Sequence, residues 1–307
     1  MAKVGVVGGG AWGTAIAAHA TRLGLHIRVA LSIGINSHRR RLRQGGSALR
    51  RDMFIETAPS IRPVGARLGV IGGSGVGALG LVTDASVKDV DTPYGAPSGS
   101  VRIGWIGSSE VAFLARHGTG HTIPPHRINH RANVWALREL GVRRIVALSS
   151  VGSLRKDLRP GSLAVPHDYL CLGELPTFHD DKVVHATPRL DEGVRKAMLA
   201  AAKVAGVPAR ARAVYAQTRG PRLETKAEIR LLSDYADVVG MTMASEATLA
   251  AEADLGYACL CTVDNYAHGV AAKVLSYEEI MKRARRNAKK VEAILPNILR
   301  SLAAKRV

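Results

Sequence analysis

The stretch from Gln217 to His268 constrains the fold of this chain more than any other part of the sequence. It holds two short apolar runs, residues 236–240 and 257–263, which have the character of buried strands. Residues 247–253, between these runs, are rich in Ala and Glu and are typical of a helix. Strands that alternate with a helix in this way indicate an α/β fold.

Polar residues follow the predicted strands of this stretch. Met241 and Thr242 come directly after the first strand, and Asn265 comes after the second. Gly220-Pro221 interrupts regular structure, so a new element should begin at residues 223–225, and Glu224 should lie in a loop. In α/β proteins ligands bind at the edge of the sheet where strands end. The pattern therefore predicts a ligand site that includes Glu224, Met241, Thr242 and Asn265.

Other strand ends upstream carry groups that suit an anion. A strand at residues 68–71 ends in Gly72-Gly-Ser-Gly, where glycines allow close backbone approach and Ser74 can donate a hydrogen bond. The strand predicted at residues 111–115, paired with 101–106, ends at Arg116, whose planar guanidinium can bind phosphate through two donors. Ser149 and Ser150 end the strand at 144–149. These residues predict an oxyanion site.

The order and spacing of these motifs resemble the trimeric purine nucleoside phosphorylases, in particular the branch that acts on 5′-methylthio-nucleosides. The resemblance runs from about Arg67 to Arg300 and includes the motifs at residues 91–98, 115–118, 121–129 and 152–154. It implies a three-layer α/β fold with a mixed central sheet flanked by helices, formed by residues 65–307. It also implies a cytoplasmic homotrimer that uses inorganic phosphate to release a free purine base and ribose 1-phosphate, without a cofactor.

The resemblance assigns roles to individual residues. Glu224 and Asn265 would act on the base, beside Leu223. Met241 would hold the ribose, and His185 of a neighbouring subunit would lie near the 5′ substituent. Tyr277 and, more weakly, Ile280 are candidates near the 5′ end, although Tyr277 could equally be a packing residue at a helix N-terminus. The residues that would bind phosphate are Ser74, Arg116, His117, Ser149, Ser150 and Thr242.

The base-binding positions predict which purine is cleaved. Family members that act on 6-aminopurines usually carry an Asp pair in Thr-Asp-Tyr-Asp, whereas this chain has Asn265. Asn can donate to O6 or N7, and Glu224 can accept from the N1–H that adenine lacks. This favours 5′-methylthioinosine, inosine or guanosine, with S-methyl-5′-thioadenosine as the alternative. A shift of one residue would instead put Asp264 in the base pocket; the Asn265 register is favoured because Tyr257-Ala258 then aligns without a gap.

The first 64 residues predict a separate piece. Residues 4–33 indicate strand, glycine turn, helix and strand, with Gly8, Gly10 and Gly13 in the turn. This resembles the opening of an NAD-dependent glycerol-3-phosphate dehydrogenase and would place a pyrophosphate on a helix N-terminus. No acidic residue follows the second strand, and an Arg-rich, flexible linker comes next. Residues 1–64 are therefore interpreted as a truncated Rossmann-like fragment that activity does not need; nucleotide binding by the glycine turn is the alternative of another class.

Composition argues against several other functions. The net charge of +18 could attract nucleic acid, but aromatic residues make up only 4% of the chain and no reading element is recognisable. A basic RNA-binding module would show salt-dependent affinity. Three scattered cysteines, and loop histidines that share no face with carboxylates, predict neither disulfides nor a metal site. No apolar run predicts a membrane span, and the glycine density of the first twenty residues argues against a secretory signal.

Overall fold

The computed structural model describes residues 67–73, 80–272 and 276–304, together with two short strands near the N-terminus. The chain divides into two compact units, Met1–Pro59 and Ser60–Val307. In the first unit, β1 (Val6–Val7) pairs in parallel with β2 (Val29–Ala30). The predicted glycine turn at Gly8–Gly13, the helix after it and the Arg-rich linker lie outside the described residues, and so does Ser74.

A nine-stranded mixed sheet forms the centre of the second unit, within the described ranges. The strand order is β10-β9-β8-β11-β7-β3-β6-β5-β4, and β10 also pairs antiparallel with β7. This second pairing closes the five strands β7, β8, β9, β10 and β11 into a ring. The other four strands, in the order β3, β6, β5 and β4, continue the sheet outward from β7. The strands are β3 (Arg67–Gly72), β4 (Thr83–Lys88), β5 (Val101–Ile106), β6 (Ser109–Ala115), β7 (Val142–Ser153), β8 (Leu163–Cys171), β9 (Ala209–Gln217), β10 (Val238–Gly240) and β11 (Gly256–Tyr266).

Helices cover the sheet on both sides. One buried cluster joins strand residues to α1 and α4, and a second joins strand residues to α2 and α5. This confirms the predicted three-layer α/β fold with a mixed central sheet. No helix among the residues described is both long and apolar enough to cross a membrane. The helices are α1 (His130–Glu139), α2 (Glu192–Val204), α3 (Lys226–Ser233), α4 (Met243–Glu252) and α5 (Tyr277–Ala303).

Two helices next to the predicted site begin at capping boxes, which satisfy free backbone N–H groups at a helix start. Thr225 accepts from the backbone N–H of Glu228, and the Glu228 side chain accepts from that of Thr225. Ser276 and Glu279 make the same reciprocal pair at the start of α5. The element predicted to begin at residues 223–225 is therefore helix α3, and the loop before it remains free to carry Glu224.

One strand was not predicted, and two strands are longer than predicted. β4 was not predicted because its residues are mostly exposed and show no apolar alternation; it forms by pairing with β5 at the sheet edge. The apolar run at residues 163–166 predicts only a short strand followed by a loop, but β8 runs to Cys171 because β9 pairs beside it in parallel. β7 was expected to end at Ser149 but continues to Ser153, where β10 pairs with it. Long-range pairing decided all three.

Candidate active site

A cavity of about 270 Å³ collects residues at or just after the carboxyl ends of β6, β7, β10 and β11. This is the sheet edge at which the sequence predicts a ligand site. Nine of the twelve predicted site residues line this one cavity, although they come from five separate segments of the chain. These nine are Arg116, His117, Ser149, Ser150, Leu223, Glu224, Met241, Thr242 and Asn265.

The other three predicted residues are Ser74, His185 and Tyr277. Ser74 lies outside the described residues. His185 is exposed and does not contribute to the cavity of its own chain. Tyr277 is the first residue of α5, and its side chain is not among those described. Ile280, the weaker candidate on α5, does line the cavity, as does the neighbouring Met281.

A fully buried ion pair holds Arg116 at one end of the cavity. Glu246 on α4 accepts from Arg116 Nε at 2.5 Å and from Nη2 at 2.9 Å, and the Leu148 carbonyl accepts from Nη1 at 2.7 Å. Arg116 is 1% exposed and Glu246 is 0% exposed. Two guanidinium donors of Arg116 that were predicted to bind phosphate therefore bind Glu246 instead. One hydrogen on Nη1 and one on Nη2 are left for an anion.

Glu246 stays ionised in this buried position. Burial alone would raise the pKa of Glu246, but the charge and hydrogen bonds of Arg116 hold it below its ordinary value. The Tyr257 hydroxyl adds a further hydrogen bond at 2.8 Å. The sequence alone gives Glu246 no role, because nothing local reveals that an acidic residue of a helix faces an arginine 130 positions earlier.

Gly73 makes room for the Arg116 guanidinium. A Cβ at this position would lie 2.4 Å from the Leu148 carbonyl oxygen and 2.6 Å from Arg116 Nη1. Neither atom can move away without breaking the hydrogen bond between them, so only glycine fits. The glycine-rich segment that begins at Gly72 thus allows close packing at the anion end.

His117 is held as a neutral ring. Its Nδ1 lies 2.8 Å from the Ile123 carbonyl, which can only accept, so Nδ1 carries the proton. Burial and the nearby charge of Arg116 lower the pKa of His117 to about 4. The His121 ring packs against it with centroids 4.3 Å apart, and His121 also lines the cavity. This end of the cavity thus combines a fixed cation with a neutral imidazole.

Glu224 lies at the other end, in the loop that precedes α3. Its side chain is buried and accepts from the Thr218 hydroxyl at 2.6 Å. His268 Nδ1 donates to the Glu224 carbonyl at 3.2 Å, which ties this loop to the segment after β11. The carboxylate therefore has one oxygen engaged and lines the same cavity as Asn265.

A β-bulge decides which residue of the Asp264-Asn265 pair faces the cavity. Val263 on β11 pairs with Val151 on β7, but the next residue of β7, Gly152, pairs with Asn265, so Asp264 is the extra residue. A bulge re-aims the side chains that follow it, and bulges are common next to active sites. Here Asn265 lines the cavity, whereas Asp264 is fully buried and does not.

The described residues contain no group of three or more His, Cys, Asp or Glu side chains that could hold a metal ion. The histidines near the cavity make hydrogen bonds or ring contacts instead. The donors and acceptors that line the cavity are a guanidinium, hydroxyls, a carboxylate and the Asn265 carboxamide, which donates one of its hydrogens to the Tyr266 carbonyl at 2.8 Å. This set suits an anion beside a polar heterocycle.

Residues 67–300 match the family model described as Phosphorylase superfamily. A protein of Archaeoglobus fulgidus named probable 6-oxopurine nucleoside phosphorylase is 41% identical over 236 residues, which cover 76% of this chain and 96% of that protein. A probable S-methyl-5′-thioinosine phosphorylase of Xanthomonas campestris is 42% identical over 249 residues, covering 77% of this chain and 96% of the relative.

Relatives named for adenine nucleosides are nearly as similar. An S-methyl-5′-thioadenosine phosphorylase of Hyperthermus butylicus is 38% identical over 248 residues, covering 78% of this chain and 89% of that protein. Among solved structures, methylthioadenosine phosphorylase from Schistosoma mansoni in complex with adenine superposes with a TM-score of 0.74 at 30% identity. It covers 78% of this chain and 92% of its own.

Proposed function

The chain belongs to the phosphorylase superfamily, and we propose that it is a purine nucleoside phosphorylase that prefers 6-oxopurine nucleosides. Its substrates would be 5′-methylthioinosine, inosine or guanosine, and its products a free base and ribose 1-phosphate or the 5-methylthio form. One observation carries the choice of base: Asn265, not Asp264, lines the cavity that Glu224 also lines.

The base end offers a matched pair of hydrogen-bonding groups. A 6-oxopurine presents N1–H as a donor and O6 and N7 as acceptors. The Glu224 carboxylate can accept from N1–H, and the Asn265 amide can donate to O6 or N7. Adenine has no hydrogen at N1, so the carboxylate would face a lone pair. A buried polar site that expects a hydrogen bond rejects a base that lacks it.

The phosphate end would position the nucleophile. The free hydrogens of Arg116 and the hydroxyls of Ser149 and Thr242 can hold the anion, and Ser74 would join them by the family resemblance. As the glycosidic bond breaks, positive charge grows on the sugar and negative charge on the leaving base. Phosphate then stabilises the sugar while the Asn265 amide donates to the base. Met241 directly precedes Thr242 in the chain and also lines the cavity. It would contact the ribose. The reaction needs no metal or organic cofactor.

The adenine-preferring alternative, S-methyl-5′-thioadenosine phosphorylase, is kept because relatives with that name match over a similar length. Ile280 and Met281 give the cavity an apolar wall, which suits a 5′-methylthio group on either base. The identity of the 5′ group and the identity of the base therefore depend on different residues. The β-bulge at Asp264 affects only the choice of base.

We also propose a cytoplasmic homotrimer. A second cavity of about 670 Å³ shares Pro125 and Met241 with the first and is bordered by the exposed side chains of Leu172 and Leu231. Exposed apolar side chains beside a site are typical of an interface. A neighbouring subunit seated there could bring its His185 to the 5′ end. Sedimentation analysis of the full chain tests the trimer.

A nucleoside panel tests the proposed function. Release of free base from inosine, guanosine, 5′-methylthioinosine and S-methyl-5′-thioadenosine would be followed with and without phosphate. We expect release that requires phosphate and a higher kcat/KM for the three 6-oxopurines. A clear preference for the adenine substrate would contradict the roles given to Glu224 and Asn265, and release without phosphate would contradict phosphorolysis.

A further inference from the structure

Asp264 is a buried carboxylate that the proposed chemistry does not use. It is 0% exposed, and both of its oxygens accept hydrogen bonds. Oδ2 accepts from the hydroxyls of Ser150 and Thr262, the latter at 3.1 Å, and Oδ1 accepts from the Asn287 amide at 2.7 Å. All three donors are uncharged. Lys290, whose charge acts on Asp264, directs its ammonium group to the Gly161 carbonyl at 2.9 Å instead.

Stability is a weak reason to keep a charge in this place. Burial raises the pKa of Asp264, although the hydrogen bonds from Ser150, Asn287 and Thr262 act against that rise. Burying a carboxylate is costly unless it is paired or fully hydrogen-bonded. Replacing buried charges with well-packed apolar groups is often neutral or stabilising. The position of Asp264 therefore calls for a role beyond packing.

The partners of Asp264 lie on the parts that surround the cavity. Ser150 belongs to β7 and lines the cavity. The Thr262 hydroxyl oxygen also lies 3.4 Å from the Ser149 carbonyl oxygen. Asn287 is buried on α5 and also donates to the Val263 carbonyl at 3.2 Å. Two helical turns before Asn287, on the same helix face, Ile280 lines the cavity.

We propose that Asp264 is a positioning residue of this active site; the inference rests on the proposed function. Its carboxylate joins the end of β7, helix α5 and the bulge of β11. In this way it holds Asn265 turned toward the base while Ser150 stays at the anion end. Asp264 itself does not touch substrate. It acts through the residues on either side of the cavity.

Exchange of the carboxylate of Asp264 and the carboxamide of Asn287 tests this role. Asp264→Asn places one amide against another, so the link to α5 is lost or the two hydroxyls lose their acceptor. We expect kcat/KM for inosine to fall at least about 10-fold, and the preference for inosine over adenosine to shrink, since Asn265 is no longer aimed. In the double variant Asp264→Asn/Asn287→Asp, the amide at 264 can donate to the carboxylate at 287 while its oxygen still accepts from Ser150 and Thr262, but the Val263 carbonyl loses its donor. We expect this variant to recover at least about threefold in kcat/KM over Asp264→Asn.

Asp191→Asn is a matched control. Asp191 accepts from the Val194 N–H at the start of α2 and lies 3.8 Å from Arg144 Nε, outside the cavity, so loss of its charge should lower the melting temperature slightly and leave kinetics unchanged. If Asp264→Asn behaves like it, or if the double variant does not recover, the inference is overturned. Should Asp264→Asn not fold, Thr262→Val, which removes one donor, should reduce the base preference about threefold; an unchanged preference would equally refute the proposal. Wild-type protein inactive on every nucleoside would instead refute the proposed function.

Discussion

The two ends of the cavity are built by different means. At the phosphate end, Arg116 and Glu246 form a fully buried ion pair between a strand end and a helix. At the base end, Glu224 lies in a loop and Asn265 follows a bulge. At the first end, a buried ion pair fixes the position of the Arg116 side chain. At the second end, backbone geometry and neutral hydrogen bonds fix the positions of Glu224 and Asn265. Phosphate binding should therefore depend on electrostatics, and base choice on register.

The largest expected effect comes from breaking the ion pair. Glu246→Gln leaves the buried charge of Arg116 without a carboxylate, which should cost about 3–5 kcal/mol of folding stability. We expect kcat/KM for phosphate to fall at least about 100-fold, each factor of ten being about 1.4 kcal/mol, and Arg116→Ala to do the same. The ratio of inosine to adenosine turnover should stay constant, because the base end is untouched.

Arg195→Ala is the control for this prediction. Arg195 is also a buried arginine, bonded to the carbonyls of Pro166 and Ala211, but it does not line the cavity. It should lower the melting temperature without changing the KM for phosphate. A phosphate KM that stays near wild type in Glu246→Gln would show that the ion pair supports only folding.

Acid should weaken the phosphate end next. Burial is the main cause that lowers the pKa of both His117 and His130 to about 4, against about 6.5 in the unfolded chain. The unfolded state therefore takes up protons first. The contribution of the two neutral histidines to the free energy of unfolding is fully present above pH 6.5 and is lost as the pH falls toward 4. The loss is at most about 3 kcal/mol per histidine.

Urea unfolding between pH 7.5 and 4.5 measures this loss. His130→Gln removes one of the two groups and should flatten the pH dependence by roughly half. His130 suits this test because its Nδ1 has no hydrogen-bond partner among the described residues and lies 3.8 Å from Glu246 Oε1. Equal slopes for the variant and the wild type would assign the acid sensitivity to other residues.

Changing Asn265 should alter base choice and leave phosphate binding as it is. Asn265→Asp replaces a donor with a group that can donate only when protonated. We expect kcat/KM for 5′-methylthioinosine to fall about 100-fold and the ratio to S-methyl-5′-thioadenosine to move toward adenine. The KM for phosphate should change less than about threefold. If phosphate binding falls equally, the two ends are not independent.

Glu224→Gln should have a smaller effect on base choice. The single amide oxygen of Gln can still accept from N1–H, but it carries no charge, and the Thr218 hydroxyl competes with N1–H for it. We expect the preference for inosine over adenosine to fall about 10-fold, or about 1.4 kcal/mol. Glu192→Gln, on the exposed first turn of α2, serves as control. No change in preference would place recognition of N1 on another group.

Sequence alone predicted much of this site for a physical reason. Arg116 directly follows β6, Asn265 is the next-to-last residue of β11, and Ser149 follows an apolar run inside β7; such runs can be found in the local sequence. Glu246 had no assigned role because its partner lies far away in the chain. The choice between Asp264 and Asn265 required the register of β11 against β7, which no local pattern reveals. The short edge strand β4 was missed because it depends on β5 for its formation.

Removal of residues 1–64 should have the smallest effect, because both ends of the cavity come from the second unit. The family match begins at residue 67, and relatives that cover 76–77% of this chain are themselves covered to 96%. About three quarters of this chain thus matches nearly the whole length of these relatives. We expect a chain of residues 65–307 to keep kcat/KM within about twofold for both phosphate and inosine. NADH should quench the tryptophan fluorescence of the full chain no more than that of the 65–307 chain, which lacks Trp12; stronger quenching of the full chain, or loss of activity on truncation, would give the first segment a function of its own.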